Sequence, residues 1–167
     1  AACFLITGPG VVNVATALGQ AFNDSIPILA ISSVNARAQL GRDGGRLHEM
    51  RGQSRLMSEI CAASRTILAP DALRKALDEA LARFAAARPR PFHIEIPTDV
   101  LQLPAGDIAG SRAAVPSAPA PSPAAIAEAV RLLAHAKRPL LLLGGGAVAA
   151  VVEARTLTVP VGHHRQT

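Results

Sequence analysis

A short apolar run, Cys3-Phe4-Leu5-Ile6, breaks at Thr7-Gly8-Pro9-Gly10 and reopens with apolar residues at Val11, Val14, Ala15, Leu18 and Phe22. The run has the length of a buried strand, and the spacing that follows is helical. Asn23-Asp24-Ser25 ends the helix, and Ile26 to Ile31 supplies a second strand. Two strands joined through a helix pair in parallel by a crossover connection, so this unit commits the chain to an α/β fold, a parallel sheet flanked by helices. Composition agrees. Half of the residues are hydrophobic but only 2% are aromatic, with no Trp or Tyr. A core of Ala, Leu, Ile and Val suits helices on a parallel sheet better than a β-sandwich.

Residues 34–56 lack a clear period and carry Gly41, Gly44, Gly45 and Gly52, which reads as a long loop with a short helix near Ser54 to Ala62. Loops this long in compact domains are usually functional or mobile. Pro70 and Asp71 start a helix that runs to about Ala87, with Leu73, Leu77, Leu81 and Phe84 as its expected buried face and Asp71 placed to pair with Lys75. Arg88-Pro89-Arg90-Pro91 stops it. Phe92, Ile94 and Ile96 then alternate with His93 and Glu95 in a strand with a more polar face, closed by Pro97. His93 reads as a satisfied edge or packing residue.

From Pro104 to Pro123 the composition shifts to Ala, Pro, Ser and Gly, the mark of a surface linker. The expected organisation is a partial first domain over residues 1–103, a linker over 104–122, and the truncated start of a second α/β domain over 123–167. Ser122-Pro123 offers an N-cap and a first helical proline, Ile126, Val130 and Leu133 form the stripe, and Leu140 to Leu143 reads as a strand entering Gly144-Gly145-Gly146. The sequence opens on Ala1 in what reads as mid-strand, and the second domain does not close, so a segment of a longer polypeptide is expected.

The formal net charge of +5 raises the question of a nucleic-acid partner. The Arg-rich stretch from Arg37 to Arg65 interleaves no stacking aromatic, and a solvated loop is the simpler reading. Cys3 and Cys61 show neither metal spacing nor a disulfide framework, which points to a reducing, cytoplasmic setting. No apolar run approaches the roughly 20 residues of a membrane span, and no leader is visible. Neither a nucleic acid nor a membrane is an expected partner.

The chemistry concentrates at the first turn. A Gly-Pro-Gly turn between strand and helix lets a ligand approach the backbone and directs amides and the positive helix end toward it. Asn13, one turn in, can donate and accept toward the same spot. Such turns also serve as plain connectors, and both readings stand on the residues alone.

Gly8-Pro9-Gly10 with Asn13, then Ala21, Asp24-Ser25 and Pro27, resembles the pyrimidine-binding domain of thiamine-diphosphate-dependent enzymes of the acetolactate synthase, pyruvate oxidase and benzoylformate decarboxylase type. Arg88-Pro89-Arg90-Pro91 with Ile94-Glu95-Ile96-Pro97-Thr98-Asp99-Val100 resembles that domain's last strand and exit. Residues 138–146 resemble the opening strand of the central domain. The resemblance implies a 2-oxo acid decarboxylase or carboligase, at least dimeric when intact, with Leu18 and Phe22 near buried surface. It implies that Gly8, Pro9, Gly10 and Asn13 hold the aminopyrimidine of thiamine diphosphate. The activating glutamate and the magnesium and diphosphate motifs of the family have no counterpart in these 167 residues, which implies a chain inactive by itself. FAD is compatible with the family but has no support in the sequence.

Two stretches depart from the family pattern. Where acetolactate synthases show a Phe-Gln-Glu run, this chain has Leu47-His48-Glu49, which puts the acetolactate reaction itself in question. His48 is the candidate catalytic residue, as proton donor or as anchor for a substrate carboxylate, against the alternative of a solvated loop histidine with Glu49 merely pairing with an Arg. Where the family's central domains usually continue Pro-Val-Val/Ala-Thr-Thr, Pro160-Val161 continues as Gly162-His163-His164-Arg165, the residues that an Ala-Thr-Thr-Val coding stretch would give if read one base out of frame. Residues 162–167 therefore read as frameshifted and their histidines not as metal ligands. Two alternative functions remain: a non-catalytic remnant or regulatory binding module, and a dinucleotide-binding domain built on Gly144-Gly145-Gly146, which lacks the later glycine and acidic residue.

Overall fold

The computed structural model describes residues 1–106, 114–140 and 142–150. The chain divides into two compact units, Ala1–Pro119 and Ala120–Thr167. In the first, four strands, β1 (Ala2–Leu5), β2 (Leu29–Val34), β3 (Ala63–Thr66) and β4 (Phe92–Pro97), form one sheet in the order β1-β2-β4-β3, with every pairing parallel. Helices α1 (Pro9–Asn23), α2 (Gln53–Ile60) and α3 (Pro70–Ala86) connect them. The α/β expectation holds.

Successive strand residues face opposite sides of a sheet, and the two cores follow that alternation. Phe92, Ile94 and Ile96 of β4 pack with Ala76 and Ala80 of α3, flanked by Leu29 and Ile31 of β2. On the other face Ala30 of β2 packs with Val11 and Leu18 of α1 and with Met57 and Cys61 at α2. Leu18 is fully buried here within the unit's own core, while Phe22 is half-buried and carries the Arg90 guanidinium 3.8 Å from its ring centroid.

Several sequence expectations are corrected. The second strand begins at Leu29, not Ile26, because the exit of α1 consumes the intervening residues. Ser25 adopts φ 60 and the Ile26 amide returns to the Ala21 carbonyl at 2.9 Å, a left-handed helix stop. β3 was not anticipated. Its sequence, Ala-Ser-Arg-Thr, shows no apolar pattern because Ser64 and Thr66 face buried polar partners while Arg65 reaches out to Glu79 of α3 at 2.7 Å. That edge strand makes β4 interior, so all six of its residues are buried and His93 is a packing residue of a central strand, not an edge one.

The buried face of α3 centres on Ala76 and Ala80, with Leu73, Leu77 and Phe84 flanking and Leu81 exposed. Small residues let this helix lie close to the sheet, and the large ones splay to either side. Its ion pairs are Arg74–Asp78 and Arg83–Glu79 rather than Asp71–Lys75.

In the second unit α4 (Pro123–His135) begins as read, with Ser122 Oγ accepting the Ala125 amide at 3.2 Å. Its Ile126, Val130 and Leu133 stripe is exposed. Leu140, Leu142 and Leu143 form no strand and are also exposed, and Gly145–Ala150 is a short 3-10 helix. The strand-to-glycine context required by the dinucleotide reading is therefore not formed among the described residues. Pro160 to Thr167, with His163 and His164, lie outside them. No helix among the described residues is long and apolar enough to cross a membrane.

Candidate active-site cleft

The C-terminal end of β1 leads directly into the Gly-Pro-Gly turn. Gly8 sits at φ 66, ψ −109, a conformation glycine tolerates and L-residues avoid. A β-carbon there would stand 2.4 Å from the His48 carbonyl oxygen. Glycine is thus required twice over, by backbone angle and by the loop pressed against it. Pro9 begins α1, where an amide donor would have no helical partner.

His48 comes to this turn from a sequence distance of 40 residues, and local bonds hold it there. The Thr7 hydroxyl reaches toward the His48 carbonyl at 3.5 Å, and Asn35 Nδ2 donates to the Leu47 carbonyl at 3.3 Å. Glu49 accepts the Gly44 and Arg46 amides at 3.1 and 2.8 Å, and these backbone donors hold its carboxyl below the usual range. Glu49 therefore staples its own loop rather than pairing with an arginine side chain. His48 itself adopts φ 57, a left-handed conformation uncommon for a non-glycine residue and imposed here by the staple on one side and the turn on the other.

Between turn and loop lies a cleft of about 510 Å³ lined by Gly8, Pro9, Val12, Asn13, Arg46, His48, Glu49 and Met50. Of the residues singled out from sequence, Gly8, Pro9, Asn13 and His48 meet in it. Gly10 does not. A β-carbon at Gly10 would stand 2.8 Å from the Ile6 side chain, so this glycine serves packing behind the turn. In the cleft Pro9, Val12 and Met50 offer apolar contact and Asn13 and His48 offer polar groups, the mixed lining of a small-molecule site. The Nδ1 atom of His48 is buried and has no hydrogen-bond partner among the described residues.

The turn rests on a buried polar layer that the sequence did not advertise. The expectation of free amides at the turn is corrected at Gly8, whose amide donates to Gln53 Oε1 at 2.9 Å; the Thr7 hydroxyl donates to the same atom at 3.0 Å. Gln53 Nε2 faces Ser32 Oγ, the Ser33 carbonyl and Glu95 Oε2, each within 3.1 Å. Thr66 donates to Glu95 Oε1 at 2.7 Å. His93 is bracketed by Ser32 and Ser64 hydroxyls at 2.9 and 2.7 Å, and burial pushes it down to about 4. A legible signal for Gln53 did exist: with Met57 it forms a buried i, i+4 pair on α2, a polar residue on an apolar stripe. Among the described residues no group of three or more His, Cys, Asp or Glu could hold a metal ion.

A parallel α/β domain with a cleft outside the carboxyl ends of its strands defines a class of small-molecule and cofactor binders. Residues 1–56 match the family described as thiamine pyrophosphate enzyme, N-terminal TPP binding domain. The chain is 49% identical over 149 residues to a probable 2-ketoarginine decarboxylase of Pseudomonas aeruginosa, covering 89% of this chain and 27% of that protein. It is 31% identical to an acetolactate synthase of Arthrospira platensis, with 89% and 26% covered, and 32% identical to the acetolactate synthase isozyme 1 large subunit of Escherichia coli, with 94% and 28% covered. The chain spans about a quarter of the length of these curated relatives. It belongs to the thiamine-diphosphate-dependent enzyme family and carries sequence of that family's cofactor-binding N-terminal domain.

Proposed function

We propose that this chain forms the aminopyrimidine side of the cofactor site in a thiamine-diphosphate-dependent 2-oxo acid decarboxylase or carboligase. The observation that carries the reading is the meeting of Gly8, Pro9 and Asn13 with His48 on one cleft. When bound, the cofactor supplies the electron sink for loss of carbon dioxide from a 2-oxo acid. The chain's residues bind and orient. Gly8 and Pro9 give the ring an unobstructed floor, Asn13 hydrogen-bonds the ring edge, and His48, which lines the same cleft, holds a proton against the substrate or steers its carboxylate. The relative at 49% identity is named for 2-ketoarginine, which makes a 2-oxo acid with a long polar side chain the first substrate to test.

The rest of the assembly belongs to the same proposal. Residues 1–103 are the pyrimidine-binding portion, 104–122 a linker, and 123–167 the start of a central domain. Magnesium and the diphosphate fall to another part of the complete enzyme, a homodimer or larger oligomer of the cytoplasm, and turnover is expected only there. Thermal unfolding with and without thiamine diphosphate and magnesium tests the reading. Ligand at roughly 100 times its dissociation constant adds about 2.7 kcal/mol, a shift of several degrees. His48→Ala and Asn13→Ala should diminish it. A shift with NAD or FAD instead, or with none of these ligands, refutes the proposal.

A further inference from the structure

Gln53, at the first position of α2, is 2% exposed, and its amide is surrounded asymmetrically. On its oxygen side stand two donors, the Gly8 amide and the Thr7 hydroxyl. On its nitrogen side stand the Ser33 carbonyl and a Glu95 carboxyl whose two oxygens both accept hydrogen bonds, with the Ser32 hydroxyl beside them. A turned amide would set oxygen against two acceptors and nitrogen against the Gly8 N–H. Buried groups cannot bear that mismatch without loss of structure, so Glu95 on the central strand dictates which end of Gln53 meets the turn.

The consequence reaches the cleft. Gly8 has no other anchor for its amide among the described residues, and its α-carbon lies against the His48 carbonyl with no room for even one added carbon. The same glutamine binds Thr7, whose hydroxyl also approaches that carbonyl. We infer that Gln53, oriented by Glu95, is a positioning residue that sets the spacing between the cleft's two walls, the Gly8-to-Asn13 turn and the His48-to-Met50 loop. Its significance for cofactor binding rests on the function proposed above.

Amide-resolved hydrogen exchange by NMR on the whole chain tests it, with the Ile94 amide of β4 as the reference for global opening. In the unaltered chain the Gly8 amide is protected although it borders the cleft. Gln53→Leu speeds Gly8 exchange roughly tenfold more than it speeds Ile94, whose own acceleration reads the loss of global stability. Glu95→Gln, which keeps the shape but permits the amide to turn, also speeds Gly8 selectively and serves if the leucine variant does not fold. An unprotected Gly8 in the unaltered chain, or equal acceleration of Gly8 and Ile94 in the variants, overturns the inference. Adding thiamine diphosphate and magnesium separates the two claims. Resonance shifts at Gly8, Asn13 and Met50 that weaken about tenfold in affinity with Gln53→Leu support both. A protected Gly8 with no shifts in the unaltered chain refutes the cofactor reading while the positioning result stands.

Discussion

Gly8→Ala tests whether the loop presses on the turn, with Gly45→Ala as the control for positive φ alone. Gly8 and Gly45 share a positive φ, 66 and 68, but a β-carbon at Gly45 meets nothing within 4 Å while one at Gly8 meets the His48 carbonyl at 2.4 Å. Placing an L-residue at positive φ costs about 1–2 kcal/mol. The smaller entropy of the unfolded alanine chain returns roughly 0.4–1 kcal/mol. Gly45→Ala should therefore cost about 1 kcal/mol. Gly8→Ala carries a backbone term at least as large, since its ψ of −109 lies outside the left-handed helical well, and in addition an overlap with a backbone atom that is stapled through Glu49 and cannot swing aside. Forced displacement of packed groups adds about 1–3 kcal/mol, for a total of about 2–4 kcal/mol. Urea unfolding followed by far-ultraviolet circular dichroism reads the difference, since the chain has no Trp or Tyr to report by fluorescence. If the two variants lose stability equally, within about 0.5 kcal/mol, the loop does not press on the turn and the cleft as described is wrong.

Other consequences follow from the buried polar layer and the surface. His93 has its ordinary value of 6.5 pushed down to about 4 by burial, so between those values the unfolded chain binds a proton that the folded chain refuses. Its contribution is complete above pH 6.5 and is lost as pH falls toward 4, a decline of about 3 kcal/mol that His93→Gln should flatten. Burial pushes the Cys61 thiol up to about 12, so iodoacetamide should label it only at the rate of unfolding, and prompt labelling of native protein would contradict its placement. Glu79 joins Arg65 and Arg83 across partly exposed ion pairs, and Glu79→Gln should cost under about 1 kcal/mol, less still in high salt.

The first βαβ unit was legible because its signals are local. A Gly-Pro-Gly turn between an apolar run and a helical stripe needs no partner to be recognised, and Gly8, Pro9 and Asn13, which line the cleft, were singled out as candidates that way. The errors lie where the governing interaction is distant. β3 escaped notice because its polar side chains answer groups on β4 and α3. The start of β2 was misplaced because Ser25 and Ile26 finish the preceding helix. Leu81 was assigned inward because helical periodicity marks a stripe but does not say which side of it meets the sheet. Gly10, singled out with the turn, lies against the Ile6 side chain and is not among the residues that line the cleft.

The sequence by itself determined the fold class, the strand–turn–helix that begins the cleft, and the candidacy of His48. Those follow from residue period and from the few residues that tolerate a tight turn. Only the tertiary structure decided that His48 meets Gly8, that Gln53 supports the turn, and that Glu95 orients it. These contacts join residues 40 or more positions apart, and a buried hydrogen bond between such residues exists only once the sheet has brought both strands into register.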